Sequence, residues 1–173
     1  MTEFKPPQED FSKEGHRPNT DNAVLELHRL LAVFLASKSF AALRTNFPGE
    51  GYDPIYSIQN VEEDEITRLL LNLAITARVI DDRENRTLER FGSSCGQLAR
   101  NLEDQVIEVL SLREACNKII HAKRIRFDVE DDAGQSFMNP IIYLYGEQNG
   151  KNWKASLDIV AFSKDYFSLV CNF

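Results

Sequence analysis

Apolar residues recur along this chain at two different periods. Up to about residue 122 they return every three or four positions, as one face of a helix requires, and from residue 124 they alternate, as in a half-buried strand. Val24, Leu27, Leu31, Phe34 and Leu35 predict a first helix, from an N-cap at Thr20 or Asp21 to about residue 44. Pro48, Gly49, Gly51 and Pro54 forbid its continuation, and Tyr52, Ile55, Tyr56 and Ile58 predict a loop packed onto the core. A second helix is expected from Asn60 as cap, with Glu63 closing a capping box and Ile66, Leu69, Leu70, Leu73, Ala74, Ala77 and Ile80 on the buried face. After the break at Gly92 to Gly96, a further helical stretch is expected over residues 97–110. Ser111 and Glu114 form another capping box, ahead of the stripe Leu112, Ala115, Cys116, Ile119 and Ile120, and predict a helix to about residue 122.

The period then changes. Ile125, Phe127 and Val129 alternate with Arg124, Arg126 and Asp128, which predicts a strand. Residues 140–147 and 153–162 are rich in β-branched and aromatic side chains and flank Asn149-Gly150, the residue pair of a tight hairpin turn. The fold class expected is α+β: a helical bundle of about four helices followed by a three-stranded antiparallel β-meander. Residues 1–19, with Pro6, Pro7, Gly15 and Pro18 among charges, are expected to form a mobile N-terminal tail, and residues 20–173 a single domain. The last residues, from 166, fit either a short helix or an edge strand.

Composition narrows the classes of function. The longest apolar run, Leu30 to Ala36, is far shorter than the roughly 20 residues of a membrane-spanning helix, and the polar N-terminus has no secretory pattern. Cys95, Cys116 and Cys171 are odd in number and widely spaced, as suits a reducing cytoplasm better than a disulfide framework or a metal half-site. A formal charge of -7 and a pI near 5.0 oppose nonspecific nucleic-acid binding by the whole surface. Locally the balance reverses: Arg113, Lys118, Lys123, Arg124 and Arg126 face a single Glu114 over the same segment. No phosphate-loop, dinucleotide, zinc-protease or nucleophile-elbow motif is present, so neither a cofactor nor a metal is expected.

Helical spacing places Arg113, Asn117 and His121 on one side of the predicted helix over residues 112–122, with Arg124 nearby. A phosphate held between Arg113 and Arg124, beside a histidine able to pass a proton near neutral pH, is chemistry that such a face can support, with Asn117 orienting either partner. The same arrangement also describes the ordinary polar side of an amphipathic helix. Leu112-Arg113-Glu114-Ala115-Cys116-Asn117-Lys118-Ile119-Ile120-His121-Ala122 resembles the motif-bearing helix of the HEPN superfamily, although seven residues between Arg113 and His121 exceed that family's usual gap. The resemblance implies a metal-independent ribonuclease or an inactive relative, with Arg113, Asn117 and His121 catalytic. With it go Lys118 and Arg124 as substrate-binding residues, RNA as partner and a homo-oligomer. The alternative is a non-catalytic module that binds another protein.

Other groups carry less. Glu62, Glu63, Asp64 and Glu65 suit the positive end of a helix better than a metal, and Asp81 and Asp82 are expected in solvent-facing ion pairs with Arg78 and Arg83. Cys116 falls on the apolar stripe and reads as a core residue. Trp153, Tyr143 and Tyr145 would stack bases from an open sheet face or cover the helices from a closed one.

Overall fold

A computed structural model describes residues 20–44, 53–83, 88, 92–104, 106–132 and 134–172. The expected tail over residues 1–19 lies outside them. The fold is α+β. Helices α1 (Thr20–Ala42), α2 (Pro54–Gln59) and α3 (Glu62–Arg83) are followed by strands β1 (Gly96–Ala99) and β2 (Glu108–Val109), then helix α4 (Leu112–Ile120). Strands β3 (Arg124–Asp132), β4 (Gln135–Gln148) and β5 (Lys151–Asp158) come next, then helix α5 (Ile159–Tyr166) and a π-helical turn over Phe167–Cys171. Among the described residues the five strands form one antiparallel sheet in the order β2-β1-β5-β4-β3.

The sheet has five strands where three were expected, because residues 97–110 are not helical. Leu98, Leu102, Val106 and Leu110 mimic helical spacing, yet only Leu98 and Leu110 are buried. Gly96 has a φ of 146°, and a Cβ there would lie 2.0 Å from the Ser156 carbonyl oxygen, so glycine lets β1 close onto β5. Pairing along a long central strand outweighs local periodicity. Two other boundaries differ. Asp53 accepts a hydrogen bond from the Ile55 amide and starts α2 within the expected loop, so Asn60 ends α2 instead of capping α3. Asp158 accepts from the Ala161 amide at 2.9 Å and turns the chain into α5, which shortens the strand expected over residues 153–162.

Elsewhere the local signals hold. Ser111 caps α4 by accepting from the Glu114 amide at 3.3 Å. Asn149 and Gly150 take positive φ values of 53° and 75° at the β4–β5 turn, the backbone that a two-residue hairpin requires.

On β3, β4 and β5 the side chains of Ile125 and Phe127, of Ile142 and Leu144, and of Trp153, Ala155 and Leu157 alternate inward to meet the helices. The buried face of α1 is Ala23, Leu27, Leu30, Phe34, Ser37 and Ala41, rotated from the expected one, with Val24 40% and Leu35 74% exposed. That helix is apolar nearly all round, so spacing alone does not choose its inner side. Tyr166, buried on α5, donates to the Leu73 carbonyl of α3 at 3.0 Å and joins the two helices through the core.

Trp153 lies flat across the β4 backbone at Gly146, its register partner, where a Cβ would fall 2.2 Å from Cζ2 of the ring. Gly146→Ala is therefore expected to displace the indole and destabilise the fold by about 1–3 kcal/mol, read as a lower urea midpoint with an unchanged slope.

Candidate functional site

The five site residues expected on and beside α4 separate into three environments. Arg113 turns towards α3, where its Nε lies 2.8 Å from Oδ2 of Asp81. Asp81 is 0% exposed, takes a second contact from Arg78 at 3.3 Å, and accepts the Leu88 amide at 2.9 Å on its other oxygen. This corrects the expectation of a solvent-facing Asp81; Asp82, which pairs with Arg78 at 3.1 Å, does remain exposed. The signal was present: Asp81 stands four positions after Ala77 and one after Ile80, on the stripe that α3 buries.

Asn117, Lys118 and His121 converge at the C-terminal end of α4 around a cavity of about 560 Å³, together with Arg100, Glu114, Lys123, Glu147, Gln148 and Trp153. Lys118 is only 4% exposed and internally satisfied, with Nζ 3.2 Å from Gln148 Oε1, 3.3 Å from Glu114 Oε1 and 4.6 Å from the centre of the Trp153 ring. Burial alone would raise the Glu114 carboxyl, but Lys118 and Arg100 bring it below the usual carboxylate range. Arg100 bridges Glu108 at 2.8 Å and Glu114 at 3.0 Å, and Lys123 meets Glu147 at 2.8 Å. Exposed His121 sits at the helix C-cap, its amide donating to the Asn117 carbonyl at 3.1 Å. Arg100, Lys118 and Lys123 are thus balanced by Glu108, Glu114 and Glu147, which leaves Asn117 and His121 as the cavity's uncharged polar lining.

Arg124 lies on the opposite side of the sheet from the helices. There it stands in register with Tyr145, and Arg126 with Tyr143. Tyr145 is in turn paired with Lys154, whose Nζ lies 5.7 Å from the Tyr145 ring centre and 4.7 Å from that of Tyr143. Both rings are half-buried beside exposed arginines, whereas Trp153 is buried on the helical side, so the three aromatics do not act together. A smaller cavity of about 240 Å³, lined by Leu102, Lys123, Tyr145, Gly146, Asn152 and Trp153, adjoins this face and shares Lys123 and Trp153 with the His121 cavity. The contact of a surface ammonium with a tyrosine face contributes about 0.5–1 kcal/mol.

A polar node joins α1, α2, α3 and β4. Ser37 donates to Glu62 at 2.9 Å and accepts from the Met138 amide at 3.0 Å, while Gln59 donates to Ser37 and Glu62 and accepts from Arg44. Glu62 is therefore a buried member of the acidic first turn. Burial raises its carboxyl above the usual range, against the opposing effects of Ser37, Gln59 and Arg44. The folded state then holds its proton more tightly than the unfolded chain, so this group's contribution to stability falls as pH rises from about 4.5 through its folded pKa. Cys95, Cys116 and Cys171 are free thiols, and burial pushes the pKa of each upward, which suppresses the thiolate. Among the described residues no three His, Cys, Asp or Glu side chains converge to hold a metal ion. No helix among them is long and apolar enough to cross a membrane. Compared with family models, curated proteins and solved structures, the chain finds no match.

Asp81→Ala would remove the buried carboxylate 2.8 Å from Arg113 Nε and is expected to cost about 3–5 kcal/mol in chemical denaturation; Asp82→Ala, at an exposed pair, is expected to cost less than about 1 kcal/mol. Stability measured between pH 4.5 and 7 should decline more in the wild type than in Glu62→Gln, because the variant has no proton to lose at that position.

Proposed function

We propose that this chain is an RNA-directed binding protein, an inactive HEPN-like relative that holds RNA without cutting it. The observation that supports this reading is the convergence of Asn117, Lys118 and His121 with Arg100 and Lys123 around one cavity while Arg113 is committed to Asp81. Cleavage through a 2'-hydroxyl needs a proton acceptor and a cation aimed at the charge that develops on the phosphate. His121 supplies the first, and the arginine that the motif offers for the second is held between helices. What remains at the cavity suits contact with phosphate and ribose.

The test combines cleavage and binding of a mixed RNA substrate in excess EDTA. Wild type and His121→Ala should leave it intact, while wild type raises the anisotropy of a labelled oligonucleotide and Lys123→Ala binds several-fold more weakly. Cleavage by wild type that His121→Ala abolishes would replace this reading with a ribonuclease, and no binding by folded protein would remove RNA as the partner.

A second reading, a module that binds protein, has its own support. Leu71, Ile75 and Val79, 41%, 46% and 36% exposed, recur every four residues along α3 and suit a second helix. If that helix belongs to another copy of the chain, sedimentation should show a dimer that Leu71→Glu and Ile75→Glu together convert to monomer.

A further inference from the structure

The face of the sheet turned away from the helices presents the cations that α4 does not. Among the described residues Arg124, Arg126 and Lys154 make no ion pair, whereas Arg100, Lys118 and Lys123 at the cavity are each matched by a carboxylate. Three cations without a carboxylate partner thus stand on one face of an acidic protein, with the two tyrosine rings beside them.

The register makes this face a track. Arg126, Tyr143 and Ser156 form one row across β3, β4 and β5, and Arg124, Tyr145 and Lys154 form the next, about 7 Å further along the strands. Each row joins an arginine to an aromatic ring, the pair of groups that takes a phosphate and a base from one nucleotide. The track has a direction. Past Tyr145 lies the small cavity lined by Leu102, Asn152 and Trp153, and Lys123 at its rim is shared with the His121 cavity. At the other end Asp128 accepts from the Tyr143 hydroxyl at 3.3 Å and from Asn139 at 3.0 Å, and Glu130 also accepts from Asn139, so carboxylates close that end against phosphate. Asp158, one row past Ser156 on β5, lies at that same closed end, and Glu147, at the other, is paired with Lys123.

We infer that the open sheet face binds single-stranded RNA, with bases stacked on Tyr143 and Tyr145, phosphates on Arg124, Arg126 and Lys154, and the strand led past Lys123 towards His121. This rests on the RNA-directed reading above and adds the surface that holds the strand. A single strand is specified because its bases are free to leave their neighbours and stack on protein rings, whereas a duplex keeps them paired inside.

The test is fluorescence anisotropy of the full chain with a short mixed-sequence single-stranded RNA, across a salt series, with circular dichroism of every variant. Wild type should bind with salt-dependent affinity. Arg124→Ala with Arg126→Ala should weaken binding and flatten the salt slope by about 0.7 for each phosphate that is no longer neutralised. Tyr145→Ala should weaken binding about tenfold or more, and Tyr145→Phe, which keeps the ring, should not. Wild-type binding that these sheet variants leave unchanged but Lys123→Ala reduces would overturn the sheet face and keep the RNA-directed reading. Equal affinity for duplex RNA would overturn the stacking arrangement, and absence of binding by folded wild type would remove both.

Discussion

A carboxylate with no exposure to water joins the two helices that carry most of this protein's charged chemistry. Asp81, near the end of α3, is held by Arg78, by Arg113 of α4 and by the Leu88 amide, so its oxygens are satisfied without solvent. A buried charge is tolerated only when paired and hydrogen-bonded, and the geometry that achieves this also sets how α4 lies against α3. The rotation of α4 follows: Leu112, Ala115, Cys116 and Ile119 go inward, Arg113 to Asp81, and Asn117 and His121 to the cavity beyond.

The sheet is covered by helices on one face only among the described residues, and this asymmetry governs its chemistry. Inward positions on the three long strands are apolar and closely packed, to the point that Gly146 must lack a side chain beneath Trp153. Outward positions carry Arg124, Arg126, Tyr143, Tyr145 and Lys154, which are amphipathic groups that cover backbone with apolar atoms while keeping polar ends in water. The cavity at the end of α4 and the open sheet face meet at Lys123, so two surfaces built from different elements form one continuous region. The polar node of Ser37, Gln59 and Glu62 acts at the opposite end, where the Met138 amide connects it to β4 and locks the sheet to three helices.

Signals confined to a few neighbouring residues survived folding best. The Ser111 cap, the Asn149-Gly150 turn and the apolar stripes of α3 and α4 depend on contacts within a turn or two, and the chain alone determined them, together with the α+β class. The single helical face shared by Arg113, Asn117 and His121 was equally legible as spacing. Whether those residues meet is a question of what α4 packs against: Asp81, distant in sequence, draws Arg113 away, while Asn117 and His121 stay together. Residues 97–110 became strands because β5 offered a partner, α1 chose its inner side because β4 and α3 lay there, and Tyr143 and Tyr145 faced outward because the helices took the other face. Periodicity records which residues share a side; only tertiary packing decides what that side meets, because burial and pairing with distant segments outweigh local preference.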